Sequence, residues 1–229
     1  AVICIVDEDT THVKGVHLIP ADMIAGQIRS FLGDVGADCI KTGMLYSKNI
    51  IRLVAGILDE YSSIPVVVDP VMVTSSGDKL LEEDAVQAYK DYLFPRASIL
   101  TPNKKEAEWL CGKELNEGNI EECLKDLSRW GNSVVIKSVE NRDFFIDYYY
   151  NPVEKVMKVY KKEGIRTRNV NGTGDSFASA IATFLSKGYG IEFAVAEAER
   201  FIQQSIELGA RFKFGRGFGP VYPYYEVQE

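Results

Sequence analysis

Residues 65–68 (PVVV), followed by Asp69, constrain the fold more than any other stretch of the chain. The run does not alternate between apolar and polar side chains, a pattern typical of strands buried on both faces. Such strands belong to parallel sheets that are covered by helices on either side. Because comparable apolar runs alternate with segments of helical periodicity, the sequence predicts an α/β fold of three layers, with a mostly parallel central sheet flanked by helices.

The predicted elements follow one another without a linker, a repeat or a low-complexity segment. Strands are expected within residues 1–6, 37–45, 65–69, 97–100 and 133–137, and antiparallel strands within 143–168. Helices are expected after Pro20, around 50–58, and near 82–93, 104–110, 119–130, 175–187 and 190–208. A chain of 229 residues is long enough for one large α/β domain, so we predict a single domain over residues 1–229.

Composition argues against several classes of partner. The formal net charge of −7, from 33 acidic and 26 basic residues without a basic run, argues against nucleic-acid binding. No apolar run is long enough to span a membrane, and no signal peptide is visible. Because the four cysteines (Cys4, Cys39, Cys111 and Cys123) are scattered, we expect no zinc site and no disulfide framework, and a reduced cytoplasmic protein.

A Gly-rich turn at residues 169–174 (NVNGTG) precedes a predicted buried helix. Gly172 and Gly174 permit close approach to the main chain, and a helix start offers free N–H groups and the positive end of the helix dipole. The turn therefore predicts an anion site around Gly172, Thr173 and Gly174. The next residue, Asp175, has two interpretations: a base that takes a proton from an attacking hydroxyl, or the N-cap of the helix. The paired glycines and the polar residues upstream favour the base.

Polar side chains recur at or just beyond the ends of the predicted strands, where α/β sheets bind their ligands. They are Asp7, Glu8, Lys41, Asp69, Asn103, Glu106 and Lys137. With the Gly-rich turn they supply an anion site, a carboxylate base, oxygen ligands and a lysine. These are the parts of a phosphoryl-transfer site.

Asn103 and Glu106 also have two interpretations. Their i, i+3 spacing suits Mg²⁺ or its waters, because this ion prefers oxygen ligands. The same spacing suits a capping box with Asn103 as the N-cap, and the two roles can coexist. No G-x-x-x-x-G-K-[ST] motif occurs, which excludes a P-loop fold, and the dinucleotide-binding pattern G-x-G-x-x-G fails at Phe177.

The GTGD sequence at residues 172–175, the Asn103-x-x-Glu106 pair and the parallel alternation resemble the ribokinase-like kinases. Within that superfamily, several stretches resemble the hydroxymethylpyrimidine and hydroxymethylpyrimidine-phosphate kinases of thiamine synthesis. They are residues 41–45 (KTGML), residues 68–73 (VDPVMV) with Ser76-Gly77, residues 100–108 (LTPNKKEAE) and residues 217–221 (GFGPV). The resemblance extends from residue 1 to residue 222.

The resemblance implies ATP and Mg²⁺ as cofactors, a small-molecule substrate and a homo-oligomer, most simply a dimer. It also implies individual roles. Asp175 would be the catalytic base, and the amides around Gly172, Thr173 and Gly174 would form the anion hole. The remaining implied contacts are Asp69, Asn103 and Glu106 for Mg²⁺, Asn103, Glu106, Lys137 and Gly217 for the nucleotide, and Glu8 and Met44 for the substrate ring.

Four features depart from the family pattern. The opening strand with its Gly-rich substrate loop is absent from a chain that begins in an apolar run without Met, so we expect an upstream segment to be missing. Asp175 stands where thiamine-type members usually carry Cys, and residues 138–140 (SVE) replace Gly-Gly-His after Lys137. Glu8 stands where Gln is expected. An ionised glutamate only accepts hydrogen bonds, so a neutral aminopyrimidine ring is a poorer match for Glu8 than for Gln.

We therefore predict an ATP- and Mg²⁺-dependent kinase that phosphorylates a hydroxymethyl group on a small heteroaromatic ring. Hydroxymethylpyrimidine or its monophosphate is the first candidate substrate, and pyridoxal or pyridoxine is the second. A non-catalytic small-molecule sensor with the same fold is the alternative from another class of protein, and a dehydrogenase is a distant third. A sensor would bind its ligand without forming ADP.

Overall fold

The computed structural model describes residues 1–72, 85–141 and 144–224. The strands are β1 (Cys4–Glu8), β2 (Val13–Leu18), β3 (Ile40–Thr42), β4 (Val66–Val68), β5 (Ile99–Leu100), β6 (Ser133–Asn141), β7 (Phe144–Asn151), β8 (Val156–Glu163), β9 (Asn169–Asn171) and β10 (Gly219–Pro220). The helices are α1 (Ala21–Asp34), α2 (Lys48–Asp59), α3 (Ala85–Ala88), α4 (Lys104–Cys111), α5 (Ile120–Leu127), α6 (Thr173–Ser186) and α7 (Ile191–Gly209). Helix α3 continues into a π-helical turn, Tyr89–Leu93, and a 3-10 turn, Phe94–Arg96.

A six-stranded sheet in the order β3-β4-β5-β6-β7-β8 forms the centre of the molecule. Strands β3 to β6 are parallel, and β7 and β8 extend the sheet in antiparallel orientation. All three valines of β4 are buried, as expected for a strand covered on both faces. The prediction of a mostly parallel central sheet is confirmed.

Successive residues of a strand point to opposite faces, which divides the core into two clusters. Val66 and Val68 belong to the cluster that contains the apolar sides of α2, α4 and α5. Val67 belongs to the second cluster, with the apolar sides of α6 and α7. The three predicted layers are present. Because β3 to β6 are parallel, their carboxyl ends lie at one edge of the sheet.

The N-terminal apolar run forms a strand outside the central sheet. Strand β1 pairs with β2 in a separate antiparallel hairpin, in which Cys4 lies opposite Leu18. Residues of β1 are exposed or half-buried, so this run is not covered on both faces. The prediction that Asp7 and Glu8 follow a strand of the parallel sheet is therefore wrong. A short apolar run does not by itself distinguish the two kinds of strand.

The turn of this hairpin packs against the segment that follows α7. The Phe218 amide donates a hydrogen bond to the Thr10 carbonyl oxygen over 2.7 Å, and the Gly217 amide donates to Thr10 Oγ1 over 3.1 Å. A Cβ atom added to Gly217 would lie 1.8 Å from the Thr10 carbonyl oxygen. Gly217 therefore permits a close approach of two backbone segments.

Cys111 at the end of α4 and Cys123 in α5 form a disulfide bond, with their Cα atoms 6.0 Å apart. The expectation that the cysteines form no disulfide is wrong for this pair, whereas Cys4 and Cys39 are free. The packing of α4 on α5 brings the two thiols together, and sequence spacing alone does not reveal such an approach.

Three predicted features lie outside the described residues: Val73, the Ser76-Gly77 pair, and residues 82–84 of the helix predicted near 82–93. Across the residues that are described, no helix has the length and apolarity needed to cross a membrane.

Candidate active site

The start of α6 presents backbone amides without partners in the helix, as the predicted anion site requires. Gly172 is the N-cap and has a left-handed conformation, with φ of 82°, and no side chain caps the helix. The first helical hydrogen bond runs from the Ser176 amide to the Gly172 carbonyl oxygen, over 2.9 Å. The amides of Thr173, Gly174 and Asp175 precede that bond and have no partner within the helix. They are available to a ligand at the positive end of the helix dipole.

Asp175 lies in the first turn of α6 and does not cap it, so the N-cap interpretation of this residue is wrong. Its carboxylate is 71% exposed and forms an ion pair with the Lys41 ammonium, which is 15% exposed. Lys41 comes from β3, and the loop after β3 passes close to the ion pair. A Cβ atom added to Gly43 would lie 3.2 Å from Lys41 Nζ and 3.8 Å from Asp175 Oδ1.

A second ion pair, between Lys137 and Asp69, lies against the start of α6. Lys137 Nζ is 3.0 Å from Asp69 Oδ1, and both side chains are buried, with exposures of 8% and 4%. The Thr101 hydroxyl donates to Asp69 Oδ1 over 2.9 Å. A Cβ atom added to Gly174 would lie 3.3 Å from Lys137 Nζ. Glycine at this position therefore keeps a side chain out of the space between the helix amides and the lysine.

Asn103 and Glu106 form the predicted capping box of α4. Asn103 Oδ1 accepts from the Glu106 amide over 3.0 Å, and Glu106 Oε2 accepts from the Asn103 amide over 2.8 Å. Glu106 Oε1 accepts from the Met72 amide over 3.2 Å. Burial, and then the nearby Asp69 carboxylate, raise the pKa of Glu106 to about 7, although the Lys137 charge and the two amides act in the opposite direction. The Glu106 carboxyl group therefore lies close to the Lys137–Asp69 pair.

The structure brings most of the predicted site residues together at the carboxyl edge of the sheet. They are Asp69, Asn103, Glu106, Lys137, Gly172, Thr173, Gly174 and Asp175. Met44 is half-buried in the loop next to the Lys41–Asp175 pair. Glu8 is exposed on the β1–β2 hairpin, and Gly217 packs against the turn of that hairpin. Within the described part of the chain, no hydrogen bond joins either of these two residues to the other site residues.

Lys41 was predicted to lie at this edge of the sheet but without an individual role, and Thr101 was not among the predicted site residues. The signal for Lys41 was its position at the same edge of the sheet as the Gly-rich turn. Its contact with Asp175 spans 134 residues of sequence and depends on how α6 packs over β3. Periodicity does not predict such a contact.

The arrangement can stabilise phosphate charge and remove a proton from an attacking group at the same place. Free amides and the Lys137 ammonium would bind phosphate oxygens, because preorganised donors stabilise charge that develops during phosphoryl transfer. The exposed Asp175 carboxylate, at the rim of this anion site, is accessible to a hydroxyl group. This combination is the chemistry of a kinase acting on a small hydroxyl compound.

We expect Gly174→Val to lower kcat/KM for the nucleotide on the order of a hundredfold, because a branched side chain would occupy the space beside Lys137 and displace the phosphate. Folding should persist, since Gly174 lies in α6 and is not in the left-handed region. Steady-state kinetics and the melting temperature would test this. Gly26→Val in α1 is the control, because a Cβ atom there meets nothing within 4 Å. An unchanged kcat/KM in Gly174→Val would remove the start of α6 from the site.

The fold and this site together define a small-molecule kinase of the ribokinase-like class. The model of the phosphomethylpyrimidine kinase family matches residues 1–222. The chain therefore belongs to the phosphomethylpyrimidine kinase family, as the resemblance in its motifs predicted.

Individual relatives agree with this assignment. The chain is 37% identical over 221 residues to the thiamine biosynthesis bifunctional protein ThiED of Geobacter sulfurreducens, covering 93% of this chain and 44% of that protein. It is 33% identical over 232 residues to the hydroxymethylpyrimidine/phosphomethylpyrimidine kinase of Mycobacterium bovis, covering 99% of this chain and 83% of the relative. This chain thus spans less than half of the Geobacter protein.

Among solved structures, the pyridoxal kinase from Staphylococcus aureus in complex with AMP-PCP and pyridoxal has a TM-score of 0.86 and 29% identity, covering 97% of this chain and 81% of that chain. The predicted fold class is therefore confirmed, as is the relationship to pyridoxal kinases.

Proposed function

We propose that this protein transfers the γ-phosphoryl group of ATP to hydroxymethylpyrimidine, or to the phosphate of its monophosphate. Pyridoxal or pyridoxine is the second candidate acceptor, favoured by the similarity to a pyridoxal kinase structure. The observation that carries the proposal is the pairing of Asp175 with Lys41 beside free helix amides and the buried Lys137–Asp69 pair. The names of the two curated relatives support the same class of substrate.

Asp175 would act as the general base in this reaction. Its carboxylate takes the proton of the acceptor hydroxyl while the hydroxyl oxygen forms a bond to the γ-phosphorus. The bond from that phosphorus to the bridging oxygen breaks, and ADP leaves with the electron pair. The amides of Thr173 and Gly174 and the Lys137 ammonium stabilise the charge on the phosphoryl oxygens.

The residues predicted to hold Mg²⁺ suit an ion that keeps most of its waters. Both carboxyl oxygens of Glu106 and the side-chain oxygen of Asn103 accept hydrogen bonds from backbone amides. Asp69 Oδ2, in contrast, faces Gly174. Among the described residues, no group of three or more His, Cys, Asp or Glu side chains could hold a metal ion. Asp69, Asn103 and Glu106 would therefore hold Mg²⁺ through water, as this ion prefers. When bound, the ion supplies neutralisation of phosphate charge.

The family match over residues 1–222 also supports a single kinase domain for residues 1–229. The homodimer implied by the resemblance and the cytoplasmic location expected from the composition stay predictions.

The direct test is the formation of ADP from ATP and Mg²⁺ in the presence of each candidate acceptor, with the phosphorylated product identified by mass spectrometry. We expect ADP formation to depend on acceptor and to be fastest with hydroxymethylpyrimidine or its monophosphate. A protein that binds an acceptor without forming ADP is a sensor, and this result would refute the proposed activity.

The identity of residue 8 provides a test of substrate choice. If the β1–β2 hairpin contacts the substrate ring, we expect Glu8→Gln to raise kcat/KM for hydroxymethylpyrimidine relative to pyridoxal by roughly tenfold, because glutamine can both donate to and accept from the aminopyrimidine. Kinetics with both acceptors would measure the ratio. Asp7→Asn is the matched control, since Asp7 is the neighbouring exposed carboxylate on the same strand. Equal changes for both acceptors would show that Glu8 does not contact the ring.

A further inference from the structure

Strand β6 is irregular next to the site. Two of its residues, Lys137 and Ser138, lie opposite the single residue Asp147 of β7, where the register of the pair shifts. Ser138 has a left-handed conformation, with φ of 59°. These features define a β-bulge, and bulges beside active sites commonly re-aim a side chain.

Lys137 is the last residue of β6 before the alternation changes, and it faces the same side of the sheet as Val135. Ile136 and Val139 belong to the same core cluster although they are three positions apart, so the strand changes its alternation between them. Lys137 points to the opposite face, toward α6, where its ammonium lies 5.7 Å from the centre of the Phe177 ring. The left-handed conformation of Ser138 therefore fixes the backbone of β6 directly after Lys137.

A left-handed conformation is unfavourable for serine, so a further contact must hold it. The Ser138 amide donates a hydrogen bond to Asp147 Oδ1 over 2.7 Å. Asp147 is buried, with 3% of its surface exposed. Its carboxylate thus holds the residue that follows Lys137 in the bulge conformation.

Asp147 is itself held by a buried ionic network that reaches α7. Lys162 of β8 donates to Asp147 Oδ2 over 2.8 Å and to Glu199 Oε2 over 2.5 Å. Burial, and then the Asp147 carboxylate, raise the pKa of Glu199 to about 8. The hydrogen bond from the Lys162 ammonium fixes the Asp147 carboxylate next to the bulge.

We propose that Asp147 is a positioning residue for nucleotide binding, which acts through the left-handed conformation of Ser138 to hold the backbone of Lys137 in place beside the start of α6. The inference deepens the proposed function and depends on Lys137 contacting a nucleotide phosphate. Asp147 contacts Ser138, and Lys162 joins Asp147 to Glu199. Asp147 therefore influences phosphate binding through the backbone of β6.

The test is the affinity for ADP, measured by calorimetry without an acceptor, so that it does not depend on turnover. We expect Asp147→Ala to weaken ADP binding about tenfold. A change of this size corresponds to the free-energy penalty of keeping Ser138 left-handed when the Asp147 carboxylate no longer accepts its hydrogen bond. Adding Ser138→Gly to Asp147→Ala should restore the affinity to within about threefold of the wild type, because glycine adopts this conformation without strain. A general loss of stability would not be repaired by that second change.

A second pair of variants keeps the buried network intact in case Asp147→Ala does not fold. Ser138→Val should bind ADP about tenfold more weakly than Ser138→Gly, since a β-branched residue is strongly disfavoured in the left-handed region. Equal ADP affinities of these two variants, unaltered affinity in Asp147→Ala, or no rescue in the double variant would each overturn the inference. Failure of the proposed function would give a different result: the wild-type protein would bind ADP but form no product from any acceptor. A wild-type protein that binds no ADP would refute both.

Discussion

Replacing Asp175 by asparagine should reduce turnover on the order of a hundred- to ten-thousandfold while the protein stays folded. Asparagine keeps the size of the side chain but lacks the basic carboxylate that would take the acceptor proton. The helix start should survive, because Gly172 and not Asp175 is the N-cap of α6. The lost ion pair with Lys41 should matter little for folding, since an Asp175 side chain that is 71% exposed contributes at most about 1 kcal/mol to such a pair.

Three measurements separate a catalytic effect from a structural one: turnover at saturating substrates, nucleotide affinity and melting temperature. Nucleotide affinity should be unchanged or higher, because a negative charge beside the phosphates is removed. Asp22→Asn is the matched control, since Asp22 is also an exposed carboxylate in the first turn of a helix, α1. Near-normal turnover of Asp175→Asn would refute the catalytic role and remove the main argument for a kinase mechanism at this site.

The sequence predicted the layers of this fold because local patterns dictated them. The unbroken valine run of β4 can be buried on both faces only inside a parallel sheet, and α6 and α7 lie close to the helices expected near 175–187 and 190–208. The same local pattern did not reveal the hairpin of β1 and β2. The apolar run of β1 has a similar composition to the buried strands, but it pairs with an antiparallel neighbour outside the central sheet. Strand partners depend on contacts that a single run does not encode.

The candidate site was predictable in outline, because parallel strands deliver their carboxyl ends to one edge of the sheet. Asp69, Asn103 and Lys137 meet there as expected. The ion pair of Lys41 with Asp175 and the left-handed Ser138 were not predicted. The pair depends on side chains 134 residues apart, and the bulge depends on the register of β6 against β7. Both are set by tertiary packing.

The Lys137–Asp69 pair should show the second large effect. Lys137→Met keeps the length of the side chain but leaves the Asp69 carboxylate, 4% exposed, without its cation. An unpaired buried charge destabilises a protein by about 3–5 kcal/mol, so we expect a clear fall in the free energy of unfolding. Loss of the phosphate-binding charge should also reduce kcat on the order of a hundred- to a thousandfold. Urea denaturation and steady-state kinetics would measure the two effects.

The double variant Lys137→Met with Asp69→Asn separates stability from phosphate binding. Asparagine removes the uncompensated charge and can still accept from the Thr101 hydroxyl, so stability should return. ADP affinity should not return, because the ammonium beside Gly174 is still absent. Measured without Mg²⁺, the ADP affinity of Asp69→Asn alone should match that of the wild type, since Lys137 is then freed for the phosphate. If the double variant instead bound ADP like the wild type, Lys137 would serve only to neutralise Asp69, and the anion site would consist of the α6 amides alone.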